Sequence, residues 1–366
     1  MHRERTLAEA LCYAGSPGFT GDFGVPGYCH RVDSPSVCVI LPVLDEYDAV
    51  DDCLSSLQAQ TYAGPITVIA ADGGSTDGTR ERLAEWSERW PAVRMVDNPD
   101  RVQSAGLWLA ANATDAEILV RADAHTTYGP EYVERSVDAL MSSDAVAVGG
   151  PMRPVPGPGF GGAVAEAMTS KWAIGPAPFH HGEERRTVDT VYLGAFRRQD
   201  FLDIGGMRTL PSRVAEDADL YFRWRMAGRT ILMDPGIESH YRPRETPAAL
   251  WRQFHRYGLG KADMLQVTGT LPSPRPLAPL ALVVGLIATA LVLPWRRWPL
   301  LALSGSWLGT LLTVFRGRPA PAIAGAIMHL SYGVGMLKGL LRRPSAVKAA
   351  VRENPAGGVS AQGRES

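Results

Sequence analysis

A continuous apolar run, VCVILPV at 37–43, is followed by a stretch in which Val50, Cys53, Leu54 and Leu57 share one helical stripe, and this alternation then repeats. An unbroken run rich in β-branched residues suits a strand covered on both faces. Further strands are expected at 66–71 (ITVIAA), 93–96 (VRMV) and 117–121 (EILVR), with helices through Trp86 and near 103–112 between them. Four strand–helix repeats predict a parallel α/β sheet. In such sheets ligands gather beyond the carboxyl ends of the strands. Asp45-Glu46, Asp72 and Asp123 all fall at such ends.

Two familiar uses of that edge are absent. No G-x-G-x-x-G follows the first strand, where PVLDEY stands instead, and no G-x-x-x-x-G-K-[ST] occurs. Neither a dinucleotide fingerprint nor a P-loop is therefore present. The edge is acidic, and acidic groups hold a diphosphate only through a bridging divalent cation. In EILVRADAHTTYGPEY, Asp123 and His125 end a buried strand two residues apart. A loop carboxylate and a surface imidazole would also give that triplet. The neighbouring edge carboxylates favour a metal site, and a mixed oxygen and nitrogen set suits Mn2+ as well as Mg2+. A formal net charge of −1 over 366 residues gives no bulk attraction to nucleic acid, and no such partner is expected.

Downstream, VDTVYLGAFRR (188–198) reads as a strand. In SRVAEDADLYFRWRMAGRTILMDP, Leu220, Trp224 and Ala227 form a helical stripe ended by Gly228. Glu216 and Asp217 occupy its first turn, where the helix dipole favours carboxylates. Thr246 and Pro247 open another helix as cap and first residue. On it Gln253, Arg256 and Tyr257 share a face.

In order, VCVILPVLDE, VIAADGGSTDGT, RADAH, AEDADLYFRWRMAGRTI and QFHRY resemble the motifs of family 2 inverting glycosyltransferases with the GT-A fold, over about residues 36–262. VDTVYLGAFRR, EDADL and YRPRETPAALWRQFHRYG resemble bacterial exopolysaccharide glucosyltransferases of the succinoglycan type. The resemblance implies a Rossmann-like mixed sheet and a nucleotide-diphosphate sugar donor, UDP-glucose foremost. It implies a polyprenyl-diphosphate-linked oligosaccharide as acceptor. By the same resemblance Pro42, Glu46 and Asp72 hold the base and ribose of the nucleotide, although Asp72 is also a natural turn residue before Gly73-Gly74. Asp123 and His125 match the D-x-D motif with His for the second Asp. They would hold Mn2+ or Mg2+, with Asp123 also touching the nucleotide sugar. His240, in ESHYRP, would complete the coordination or is a loop or core histidine. His180-His181 reads as a surface pair.

Asp217 matches the general base. Glu216 would bind acceptor or diphosphate, or simply cap its helix. Gln253, Arg256 and Tyr257 resemble Q-x-x-R-W with Tyr for Trp, and would meet acceptor and diphosphate. The substitution of Tyr favours addition of a single sugar. Packing of an amphipathic helix is the alternative for these three residues. A rival enzyme class, the metal-dependent nucleotidyltransferases, calls for a Gly-rich basic loop that PVLDEY lacks. An inactive membrane subunit would not need carboxylates at 72, 123 and 217.

The chain is expected to divide into a lead-in at 1–35 without a signal peptide's apolar core, a glycosyltransferase domain at 36–265, a membrane domain at 277–341 and a polar tail at 342–366. No carboxylate occurs from 277 to 341. Three apolar segments there approach the length that crosses a bilayer. Trp295 and Trp298 flank Arg296-Arg297 like an interfacial belt. The expectation is about three transmembrane helices in an inner membrane, in contact with lipid, with the catalytic domain on the cytoplasmic face. Cys12, Cys29, Cys38 and Cys53 show no C-x-x-C spacing and read as free thiols.

Overall fold

The computed structural model describes residues 34–270 and 273–355. Of the lead-in expected at 1–35 only positions 34 and 35 fall within these residues, and Cys12 and Cys29 fall outside them. The first half contains β1 (Val37–Val43), α1 (Val50–Gln58), β2 (Ile66–Asp72), α2 (Thr79–Arg89), β3 (Val93–Asp97), α3 (Gln103–Asn112), β4 (Ile118–Arg121), β5 (Thr126–Tyr128), α4 (Tyr132–Met141), β6 (Ala147–Gly150), β7 (Met152–Pro154) and α5 (Phe160–Met168). The second half contains α6 (Pro178–His181), β8 (Arg186–Val188), β9 (Tyr192–Arg197), α7 (Arg198–Asp203), α8 (Glu216–Met226), β10 (Ile231–Met233), β11 (Ser239–Tyr241), α9 (Pro247–Thr268), α10 (Leu277–Leu291), α11 (Trp298–Val314), α12 (Pro319–Leu340) and α13 (Pro344–Ala349).

Eight strands form one sheet in the order β3-β2-β1-β4-β9-β6-β10-β8. The first four run parallel, and β9 is inserted antiparallel between β4 and β6. This is the GT-A-like mixed sheet. The apolar run of β1 divides by alternation. Val37, Val39, Leu41 and Val43 enter the layer with α1 and α4, while Cys38 and Ile40 enter the layer with Leu107, Phe201 and Trp224. Both faces are buried, so no polar residue interrupts the strand. Each such Leu or Ile contributes about 1.5–3 kcal/mol on burial. Cys38 and Cys53 are buried free thiols, and burial pushes the Cys38 thiol up to about 12.

Pro42 lies in a central strand, where a missing N–H would ordinarily cost a ladder bond. Pairing with β4 stops at Ile40 opposite Arg121, whereas pairing with β2 continues to Val43 opposite Asp72. Beyond Ile40 one edge of β1 is open, so proline fits. It is also there, beyond the carboxyl ends of the strands, that sheets of this kind form their ligand crevice.

A second sheet has three short strands in the order β5-β11-β7, and β5 follows directly on the DAH triplet. Along α9 packs α12, at a separation that glycine permits. A Cβ at Gly258 would strike the Tyr332 carbonyl, and one at Gly335 the His255 carbonyl.

The three apolar segments form helices of 15, 17 and 22 residues. At 1.5 Å per residue the first two span about 22 and 26 Å, short of a hydrocarbon core of about 30 Å. Only α12 is long and apolar enough to cross a membrane by length and composition, and 56% of its apolar window is buried within the protein. The expected set of three spans is thus reduced to one helix of sufficient length. Proline is the local cause: Pro276, Pro294 and Pro299 bound or open α10 and α11.

The expected polar tail also carries structure as far as residue 355. After α13, Arg352 forms a β-bridge with Thr209, with N–H···O distances of 2.9 and 3.0 Å. The Asn354 amide donates to the carbonyls of Gly205 and Met207 at 2.9 and 3.0 Å.

Candidate active site

The loops after β1 and β2 are knitted together before they present any side chain. Asp45 adopts φ 53°, a left-handed conformation that Asp tolerates. Its amide donates to Ser75 Oγ at 2.9 Å and its Oδ1 accepts from the Thr76 amide at 2.8 Å. The Glu46 amide donates to Thr79 Oγ1 at 2.8 Å. Asp72 ends β2 and is 1% exposed. It accepts from Gly74 and Ser75 amides, Ser75 Oγ and Arg80 Nη1. Burial works against its charge, but these bonds outweigh burial and lower its pKa. Its acceptor positions are therefore occupied by the turn it anchors.

The DAH triplet follows β4. Asp123 is 9% exposed. Its Oδ1 accepts from Gln103 Nε2 at 3.1 Å and from Arg121 Nη2 at 3.4 Å. His125 Nδ1 meets Glu46 Oε1 at 3.1 Å. Burial disfavours the imidazolium, yet the Glu46 hydrogen bond and the charges of Asp123 and Glu46 prevail and raise its pKa. Two of the expected strand-end carboxylates are thus joined to His125's surroundings. With Nδ1 held by a carboxylate, Nε2 is the nitrogen left for a ligand, an arrangement common behind metal-bound histidines.

His240 does not join them. In β11 it sits opposite Thr127, and Tyr241 sits opposite Thr126. Tyr241 packs edge-on to His125, with ring centroids 5.9 Å apart. Neighbouring residues on a strand face opposite ways, which turns His240 away. Among the described residues no group of three or more His, Cys, Asp or Glu could hold a metal ion. Mg2+ and Mn2+ sites that use substrate phosphates need only one or two protein ligands. Asp123 and His125 fit that class; a closed protein cage is not present.

Asp217 opens the other side of the crevice. It lies in the first turn of α8, whose N-cap Ala215 is left-handed with φ 64°. That conformation costs about 1–2 kcal/mol for a residue with a Cβ. The loop at 213–215 lies directly against α9 because position 260 is glycine; a Cβ there would meet Val214 and Ala215. Asp217 Oδ1 accepts from the Ala218 amide at 2.7 Å, and Oδ2 lies 3.9 Å from Arg121 Nη1. Its side chain is 38% exposed.

Glu216 points the opposite way. It is 3% exposed and accepts from Ser104 Oγ at 3.1 Å, and that hydroxyl also meets Thr209 Oγ1 at 2.7 Å. Burial, with Asp217 adding to it against smaller opposing effects, raises its pKa to about 7. In this position it reaches neither acceptor nor diphosphate and instead joins α3 to α8.

On α9 the Gln253 side chain donates to Tyr241 Oη at 2.7 Å and Tyr257 Oη at 3.0 Å. Arg256 Nη2 donates to the Arg213 carbonyl at 3.3 Å. Through Tyr241, Gln253 and Tyr257 connect to the His125 side, and through Arg213, Arg256 supports the loop that carries Asp217. His180 and His181 are half-buried and do not form a surface pair. The His180 imidazole is pushed down to about 3 by burial and by His181. Sequence reasoning gave no role to Arg121, Gln103 or Tyr241. Arg121 did leave a signal, a cation closing an apolar strand. Gln103 and Tyr241 left none, because Asp123 is 20 residues from the first and His125 more than 100 from the second.

Residues 38–202 match the family model described as Glycosyl transferase family 2. The succinoglycan biosynthesis protein ExoA of Rhizobium meliloti (strain 1021) is 31% identical over 322 residues, covering 85% of this chain and 97% of that protein. Glycosyltransferase AglE of Haloferax volcanii is 25% identical over 241 residues, covering 63% of this chain and 74% of that protein. Among solved structures, the mannosyltransferase PcManGT from Pyrobaculum calidifontis in complex with GDP-Man and Mn2+ aligns with a TM-score of 0.54 and 22% identity, over 84% of this chain and 87% of that one. That last likeness is one of fold.

Proposed function

Because the chain belongs to the family 2 glycosyltransferases and is a sugar-transferring enzyme, we propose that it moves glucose from UDP-glucose to a polyprenyl-diphosphate-linked oligosaccharide, with inversion, in exopolysaccharide assembly. The observation that carries this reading is that Asp123, two residues from His125, and Asp217 converge from different elements on the Arg121 guanidinium. The succinoglycan biosynthesis relative, matched over 97% of its length, supports the pathway.

The acceptor hydroxyl oxygen bonds to the anomeric carbon as the carbon–oxygen bond to the diphosphate breaks. The electron pair leaves with UDP, and the hydroxyl proton passes to the Asp217 carboxylate. A positioned carboxylate base contributes on the order of 10²- to 10⁴-fold. Asp123 and His125 are the residues that would hold Mn2+ or Mg2+, and the ion's contribution is to offset charge on the leaving diphosphate. Pro42, Glu46 and Asp72 shape the nucleotide end, Asp72 by fixing the 73–79 loop. Gln253, Arg256 and Tyr257 line the acceptor end.

The membrane reading rests on α10 and α11. Ile287, Leu291, Leu301 and Leu308 are exposed, as are Trp295 and Trp298 beside Arg296-Arg297. Aromatic and basic residues together suit the lipid–water interface. The α10–α11 hairpin enters the bilayer next to α12, and the catalytic domain stays on the cytoplasmic face.

The test is a donor screen with membranes containing the full chain and radiolabelled nucleotide sugars, scoring label in the lipid extract. UDP-glucose should label lipid, EDTA should abolish the label, and Mn2+ or Mg2+ should restore it. Labelling from another nucleotide sugar alone would remove the donor assignment. Full labelling in excess chelator would remove the metal.

A further inference from the structure

Arg121 is a cation built into the sheet. It closes β4 opposite Ile40 of β1, and its carbonyl accepts from Tyr132 Oη at 2.8 Å, so its backbone is held from two sides. The side chain is 7% exposed. Taking a guanidinium out of water is costly unless carboxylates offset it. Here two do, from opposite walls of the crevice: Asp123 at 3.4 Å and Asp217 at 3.9 Å. Neither is a tight forked pair, and Nε has no hydrogen-bond partner among the described residues. Structural pairs elsewhere in the chain differ. Arg208 and Arg223 close on the buried Asp219 through Nε at 3.0 and 2.9 Å. The Arg121 charge is shared between two carboxylates and fully engaged by neither.

We propose that Arg121 is a positioning residue that ties the donor-side carboxylate Asp123 to the base Asp217 and so holds the two in register across the site. This rests on the reading of Asp217 as the base. Glu216 adjoins Asp217 and Asp123 lies across the same guanidinium. The other groups whose charges bear on this cluster are Lys261 and Tyr257 of α9, Tyr221 of α8 and Tyr192 of β9. Without Arg121 no side chain would link Asp123 to Asp217. At 7% exposure Arg121 acts through these carboxylates and not on substrate.

The experiment compares Arg121→Met and Arg121→Lys in the full chain in membranes. It measures kcat and KM with UDP-glucose, and UDP affinity with Mn2+ by calorimetry. In Arg121→Met, kcat should fall by about 100-fold or more, while UDP affinity stays within about threefold. Arg121→Lys keeps the charge but not the fork. Its kcat should fall by only roughly tenfold. A Met variant with near wild-type kcat overturns the proposal. So does a loss of UDP binding that matches the loss of kcat, since Arg121 would then hold the donor. If the Met variant does not fold, wild-type kcat in Arg121→Lys overturns it. Failure of the underlying reading is seen separately, as near wild-type turnover in Asp217→Asn.

Discussion

At the scale of single residues, the three carboxylates of EDAD are separated by helix phase alone. Glu216 turns into the protein, 3% exposed, with a pKa raised from 4.5 to about 7 by burial first. The folded chain holds that proton more tightly than the unfolded chain does. The stabilisation is complete below pH 4.5 and is lost as pH rises through 7, a swing of about 3 kcal/mol. Glu216→Gln, which cannot ionise, should gain on the wild type by about that amount between pH 4.5 and 8 in chemical denaturation. Parallel stability–pH curves for the two proteins would refute this. Asp219 is fully buried between Arg208 and Arg223. Removing its charge leaves two cations without their partner, so Asp219→Asn should cost about 3 kcal/mol of stability. An unchanged denaturation midpoint would contradict that. Sequence alone cannot rank these residues, because which of three adjacent carboxylates faces solvent depends on where the helix begins and what it lies against.

At the scale of elements, α9 is fixed from three directions. Asp263, buried on α9, accepts from Arg342 Nη1 at 3.1 Å and the Ser212 amide at 2.8 Å, so the end of α12 and the loop before α8 meet on one side chain. Gly335→Ala would drive a Cβ into the His255 carbonyl and separate α12 from α9. Overpacking of this kind costs about 1–3 kcal/mol, and a lower melting temperature in detergent should report it. The tail is a second support. Asn354→Ala leaves two carbonyls unpaired, worth about 1–3 kcal/mol or a few degrees of melting temperature. A melting temperature equal to wild type would show that the strap does not bear on the fold. The first four strands were readable because their patterns are local and, in β1, β2 and β4, both faces are largely buried. The three-residue strands β5, β7 and β11 were not. Their pairing joins Thr126–Tyr128 to Ser239–Tyr241 across more than 100 residues, with nothing in either stretch to announce it. The strap was hidden likewise, since a polar tail and a docked polar tail have the same composition.

At the scale of the whole molecule, the apolar C-terminal helices and the catalytic crevice meet at α9, which packs on α12 and carries Gln253, Arg256 and Tyr257. On the proposed membrane reading α10 and α11 bury apolar surface in lipid, which salt does not screen, so the full chain should stay with membranes through a wash in about 1 M salt. Its recovery in the supernatant would remove the membrane reading. The placement of Asp72 and Asp123 at strand ends was legible from the alternation of strand and helix. The span count was not, because helix length depends on where proline and turn residues stop each segment. The central claim is that Asp217, across the crevice from Asp123 and His125, takes the acceptor's proton. The direct test is turnover and UDP affinity for Asp217→Asn in the full chain. Asparagine keeps the shape but cannot accept that proton. Turnover should fall by two to four orders of magnitude, about 3–5 kcal/mol in the barrier, with UDP affinity nearly unchanged. An Asp217→Asn enzyme within about tenfold of wild type would contradict the account.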